Sequence, residues 1–152
     1  MKKLILILIC LFVSFEVRSV SSTKHEWIKI HEYDYVDYYI DLKNVETRNG
    51  FVYWYYLQNS KEDVKWSDTN EPLPKSWIYY KKGDCGDMKL RDLSIFMYQE
   101  PMGKEYVKSY PPFEINEKGK KVEDKKWKFP RPGSNGEYQL KLVCKISSKK
   151  ND

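Results

Sequence analysis

The chain has only two histidines, His25 and His31, only three cysteines and, beyond residue 15, no long apolar run. The scarcity of histidine removes the usual general base, and no Gly-x-Ser-x-Gly elbow is present to carry an activated serine. If both histidines lie on one strand they share a face but stand about 20 Å apart, too far for one metal ion. His31, Glu32, Asp34 and Asp37 approach one another only if that segment turns, and as solvated edge residues they need no ion. Asp37 and Asp41 share a strand face and invite an acid–base reading, but the chain is short for a sugar-cleaving cleft. Asp41 reads better as an acceptor for nearby backbone or as the partner of a cation such as Arg91. The residues thus name no catalytic group, no metal and no cofactor, and no fixed-period repeat appears.

What stands at the start is an export signal. Met1-Lys2-Lys3 precedes the apolar run Leu4–Phe15, which is far shorter than the ~20 residues a membrane span needs, and Val17-Arg18-Ser19 offers a cleavage point near Ser19. A cytosolic apolar start would need an amphipathic pattern that this run lacks. Export predicts a periplasmic, cell-surface or secreted protein without a membrane span, and leaves residues 20–152 as one domain with its core at about 27–146. Losing Lys2, Lys3, Arg18 and Glu16 leaves 24 basic against 21 acidic residues, a balance of +3 that is too mild to argue for nucleic acid. The pairs Lys81-Lys82, Lys120-Lys121, Lys125-Lys126 and Lys149-Lys150 read as solvated loop and terminal residues, with contact to anionic polymers or headgroups as the alternative.

Removal of the signal also removes Cys10, which follows Ile9 and so lacks the setting of a lipid-attachment cysteine. Cys85 and Cys144 remain. In an oxidising compartment two cysteines predict one disulfide, here closing a loop of about 60 residues and stabilising the fold by roughly 4 kcal/mol on the chain-entropy argument.

Most of the mature chain reads as strand. Val36, Tyr38, Ile40 and Leu42 alternate with Asp37, Tyr39, Asp41 and Lys43, giving one apolar and one mixed polar face. Asn49-Gly50 supplies the two positive-φ positions of a tight hairpin before Phe51–Leu57, a strand apolar or aromatic on both faces and therefore predicted to be covered on both. Further strands are predicted at Trp27–Ile30, Trp77–Lys81 and Lys89–Tyr98. Polar 59–75, the turn Gly83–Asp87, Pro111-Pro112 and Lys118–Lys120 are breaks. Glu137–Ile146 fits either a strand or a helical face, and the capping pattern of Ser134 with Glu137 favours helix.

These landmarks resemble the surface-adhesin protein E-like family of small exported bacterial proteins. The residues that carry the likeness are Tyr38–Leu42, the hairpin into Tyr53-Trp54, Asp84-Cys85 with Lys89–Arg91, Gly103, Trp127, Pro130-x-Pro132-Gly133-Ser134 and Val143-Cys144. The resemblance implies an α+β fold, an antiparallel sheet of about five to six strands with a C-terminal helix on one face pinned by Cys85–Cys144. It marks Asp41, Trp54, Arg91, Trp127, Gly133 and Ser134 as structural positions. By function it implies binding rather than catalysis, with a protein or glycan ligand at the cell envelope. The alternative is a periplasmic structural or inhibitor-like domain whose partner is another envelope protein. Of the thirteen tyrosines and five tryptophans, a few, among them Tyr33, Tyr35 and Tyr39, are candidates for ligand stacking. The others build the core and, in a homodimer through a sheet edge or an uncovered aromatic face, the interface.

Overall fold

The computed structural model describes residues 24–61 and 73–150. The signal-peptide reading and most of the polar 59–75 connection lie outside the described residues. The elements are β1 (Trp27–Glu32), β2 (Val36–Asp41), β3 (Glu46–Arg48), β4 (Phe51–Ser60), β5 (Ser76–Asp84), β6 (Lys89–Glu100), β7 (Lys104–Tyr110), β8 (Phe113–Ile115), β9 (Lys121–Glu123) and α1 (Asn135–Lys150). An antiparallel seven-stranded sheet runs β1-β2-β4-β5-β6-β7 with β3 also on β4, and β8-β9 form a separate hairpin. The fold class is the predicted one, with a sheet slightly larger than expected. The additional strands carried little apolar signal: β3 is Glu-Thr-Arg, and β7 is exposed along nearly its whole length.

Strand β4 is the spine of the sheet. Its C-terminal half pairs with β2, its N-terminal end with β3, and its other edge with β5 along eight residues. Asn49 (φ 51°) and Gly50 (φ 78°) make the tight turn from β3 into β4, as their residue types require. Between β2 and β3 the chain kinks, and the wholly buried Asp41 holds the kink. Its carboxylate accepts from the Asn44 backbone N–H at 3.2 Å, from Asn44 Nδ2 at 2.6 Å and lies 2.6 Å from His25 Nδ1. Backbone acceptance agrees with the sequence reading; the side chain that meets the carboxylate is the His25 imidazole, whereas Arg91 lies elsewhere.

Helix α1 covers one face. Ser134 Oγ accepts the Glu137 N–H at 3.3 Å, as a capping residue should. The Glu137 carboxylate returns its bond one position earlier than a capping box does, to Gly133 N–H at 2.7 Å, with Gly133 at φ 74°. The Ser134 N–H is already given to the Arg131 carbonyl. Inward, Leu140 and Val143 are wholly buried against Val52, Trp54, Ile40 and Val45. Trp54 Nε1 donates to Gln139 Oε1 at 3.4 Å, and Asn135 Nδ2 donates to the Tyr56 hydroxyl at 2.7 Å. At the far end Lys150 Nζ donates to the Val45 carbonyl at 3.0 Å. The disulfide joins Cys85, in the β5–β6 turn, to Cys144 in the helix, with Cα atoms 5.8 Å apart.

Helix and sheet meet most closely at Gly83. A Cβ there would lie 2.6 Å from Leu140 Cδ1 and 2.9 Å from Trp54 Cζ3. Gly83→Ala is therefore expected to cost about 1–3 kcal/mol by overpacking, read as a fall in the urea midpoint. Gly86→Ala, whose Cβ would meet only Asp84 Oδ1 at 3.4 Å, should cost much less. Cys144→Ser should lower stability by roughly 4 kcal/mol under oxidising conditions and erase the difference between oxidised and reduced protein.

Candidate functional site

Residues paired across an antiparallel ladder share a face, so the register sorts the sheet into a helix side and a free side. On β4 the helix takes Val52, Trp54 and Tyr56; Phe51, Tyr53, Tyr55 and Leu57 face the other way. Part of the free side is closed by the β6–β7 turn. Met102 N–H donates to Asn59 Oδ1 at 2.7 Å, Gly103 N–H to Ser76 Oγ at 3.0 Å, and Gly103 sits on the side chain of Ile78. Leu57 and Ile78, paired with each other, are thereby buried. Over the remainder of that side no helix is packed among the described residues. The prediction that β4 is covered on both faces holds on the helix side and, on the other, only at Leu57; over Phe51, Tyr53 and Tyr55 no described element is packed, and these rings are half-buried among themselves.

Seven rings form a track across this free side. Trp127 stacks on Phe51 at 5.6 Å; Tyr53 stacks on Tyr80 at 6.1 Å and Tyr80 on Tyr55 at 4.8 Å; His25 meets Tyr55 at 4.9 Å and Trp27 at 4.7 Å. All seven are half-buried. Burial, the largest effect at both groups, raises the phenol pKa values of Tyr55 and Tyr80, so these hydroxyls stay protonated.

Cations are laid among the rings. Lys82 Nζ stands 3.7 Å from the Phe51 centroid and 5.6 Å from those of Tyr53 and Trp127. Arg91 lies 5.3 Å from Trp127 and Arg48 4.2 Å from Tyr53. Arg48 Nη2 also donates to the Tyr80 hydroxyl, and its Nε is 3.4 Å from Glu46. Lys89, 5.4 Å from Trp127, is matched by Asp84 and Asp87, and its hydrogen bond to Asp87 leads the effects that raise its pKa. Lys82 and Arg91 have no carboxylate within ion-pair distance among the described residues. Arg91 Nη1 donates to the Lys125 carbonyl at 3.1 Å, while its Nε is buried without a partner.

This changes the reading of Lys81-Lys82 as solvated residues. Consecutive strand positions point to opposite faces. Lys81 is buried on the helix side against Asp92 at 2.6 Å, and Lys82 lies on the aromatic track. Lys125 and Lys126 pair on the surface with Glu123 and Glu114.

The residues singled out from sequence do not converge. Tyr33 and Tyr35 are 51% and 63% exposed beyond the end of β1, and Tyr33 packs on Tyr38 of the helix side. Tyr39 lies on the other side, opposite Leu57, with its hydroxyl 3.4 Å from Asp37. His31 packs at a tilt against Tyr33, and a bulge between Lys29 and His31 removes the strand parity assumed for the two histidines. Among the described residues no group of three or more acidic, histidine or cysteine side chains is placed to hold a metal ion. Trp54 is a core residue, and Trp127 and Arg91 belong to the track. Of the missed residues, Arg48, Phe51 and Tyr53 follow by alternation from the Asn49-Gly50 turn, whereas Lys82 joins them only through the β4–β5 pairing, which no local signal sets.

Asp37 is nearly buried on β2 and ion-paired with Lys29 at 3.0 Å and Lys61 at 3.3 Å. Desolvation pushes its pKa up, but hydrogen bonds and charge from the two lysines outweigh it, and the net shift is downward. The Asp37/Asp41 pair is thus divided between two structural duties, a lysine cluster and a backbone kink.

The family model described as Surface-adhesin protein E matches residues 27–145. No curated protein sequence matches the chain closely enough to count as a relative. Among solved structures the chain is similar to the selenomethionine form of Haemophilus influenzae protein E at 19% identity, covering 82% of this chain and 89% of that one, with TM-score 0.56. It is similar to a second crystal form of that protein at 16% identity, covering 80% and 98%, with TM-score 0.54. Protein E from non-typeable Haemophilus influenzae gives 18%, 84% and 94%, and 0.51. At these identities the likeness is one of fold. Among the described residues no helix is long and apolar enough to cross a membrane.

The Asp37 cluster generates a pH prediction. A carboxyl with a lowered folded pKa contributes stability that is complete above the unfolded value of about 3.9 and is lost as pH falls through the folded value. Urea midpoints should therefore decline below about pH 4, and Asp37→Asn should start from a lower midpoint at neutral pH and decline less steeply.

Proposed function

The chain belongs to the surface-adhesin protein E family, and on that premise we propose that it is an exported, non-enzymatic binding domain of a bacterial envelope that attaches to host or matrix glycoproteins. The observation that carries this reading is the helix-free side of the sheet. Half-buried rings and cations without carboxylate partners form a surface there that the fold itself leaves unpaired. A monomer rarely leaves aromatic and charged groups so arranged without a ligand to meet them. The Met1–Ser19 segment supports export. The commitment of Asp41 to its kink and of Asp37 to two lysines supports binding over catalysis, since neither carboxylate is left to act as acid or base.

Tagged full-length protein should be cleaved by added protease on intact cells, and beads carrying the mature chain should adhere to immobilised matrix glycoproteins. Protection until the outer layer is opened, together with no adhesion, would refute the adhesive reading and favour a periplasmic partner. In any activity screen the double variant Asp37→Asn, Asp41→Asn should behave as the wild type; selective loss of a measured turnover with the fold intact would make the protein an enzyme.

A further inference from the structure

Lys82 and Arg91 are direct register partners across β5 and β6. Like charges placed opposite one another in a ladder destabilise the pair, and native surfaces relieve this with an intervening acid. None stands between these two among the described residues. Both instead lie over the Trp127 ring, at 5.6 and 5.3 Å. An indole attracts a cation but carries no net charge, so it leaves two positive charges uncompensated beside a buried, unpartnered Arg91 Nε. Arg48, on the far side of Tyr53, extends the arrangement: cation, ring, cation, ring, cation.

We propose that this face binds a sulfated polysaccharide. The inference rests on the binding-domain reading and names its ligand class. Sulfate groups supply the anions that Lys82 and Arg91 lack, and a guanidinium matches a tetrahedral oxyanion in two-point contact. Between its charges a glycan chain offers C–H surfaces for the rings and hydroxyls for the tips of Tyr53, Tyr55 and Tyr80. An acidic peptide fits less well. Strand addition, the peptide mode that draws on main-chain hydrogen bonds, is closed to it, because β4 and β5 are interior strands paired on both sides and offer side chains alone. An anionic bilayer also fits less well, because the rings are half-buried in the sheet face and present no protruding apolar wedge.

The test uses the mature chain and size-defined heparin fragments, desulfated heparin, polyglutamate and vesicles rich in phosphatidylglycerol, with affinity measured from low to high salt. Heparin is expected to bind, weakening steeply with salt, and desulfation is expected to cost at least tenfold. Lys82→Glu should also cost at least tenfold while holding the melting temperature at or above wild type, since it replaces a repulsive cross-strand pair with an attractive one. If that variant fails to fold, exposed Arg48→Gln serves instead and should weaken binding severalfold. Lys120→Gln, in the exposed β8–β9 turn, should leave binding unchanged. The proposal is overturned if heparin does not bind, if desulfated heparin, polyglutamate or vesicles bind as tightly, or if the folded site variants bind like wild type. Loss of heparin binding alone, with beads still adhering to matrix proteins, overturns this ligand class and leaves adhesion standing; failure of both assays overturns both.

Discussion

The seating of one helix against Gly83 is the constraint on which the rest of the structure depends. Leu140 and Trp54 both need the volume that a Cβ at this position would fill, and the disulfide two residues along the chain ties the helix to the same turn. A sixteen-residue helix is about 24 Å long, enough to cross β5, β4 and β3 but not to wrap a seven-stranded sheet. Among the described residues α1 is the only helix, so one side of the sheet is closed by backbone structure and the other largely by side chains. The β6–β7 turn covers Leu57 and Ile78 at one end. Over the rest, tyrosine, tryptophan and phenylalanine serve, because their large apolar bodies shield the ladder while their edges and hydroxyls tolerate water.

That division also decides the electrostatics. Lys81 and Lys82 are adjacent in sequence and have opposite circumstances: the first is enclosed with an acid partner, Asp92, and the second lies on rings with none. Enclosure demands pairing, since an unpaired buried charge is too costly to keep. On the half-open side solvent lowers that cost, so a repulsive Lys82–Arg91 register can persist with partial relief from Trp127. Such a pair is tolerated rather than stabilising. The same side chains that make the face slightly unfavourable alone make it favourable toward an anion.

Features governed by local chemistry were legible in the sequence. Asn49-Gly50 sets its turn by the positive φ of both residues, Ser134 caps a helix with its own hydroxyl, and Cys85 pairs with Cys144. Features governed by which face a residue occupies were not. Alternation in β2 marked Asp37, Tyr39 and Asp41 as a polar face, yet two of the three are buried, because Lys29 and Lys61 reach over one and a backbone kink encloses the other. Tyr33, Tyr35 and Tyr39 look contiguous in the chain, but a turn and a strand distribute them over different surfaces. The Glu137 bond goes to Gly133 instead of Ser134 because Arg131 had already taken the nearer N–H, a competition that no pattern of residue types displays.

The sheet edges bear on which surface is left for association. Edge β1 is interrupted by a bulge between Lys29 and His31, and Lys29 and Glu32 project from it. Edge β7 pairs with β6 across another bulge and carries Lys104, Glu105 and Lys108, with Glu105 at φ 55°. Bulges and edge charges are the means by which sheets resist adding a further strand, and both edges carry them. On the aromatic side Arg48, Lys82 and Arg91 share one face, and of the three only Arg48 has an acid beside it among the described residues, Glu46. On the proposed binding reading, these cations laid among rings match a partner of opposite charge.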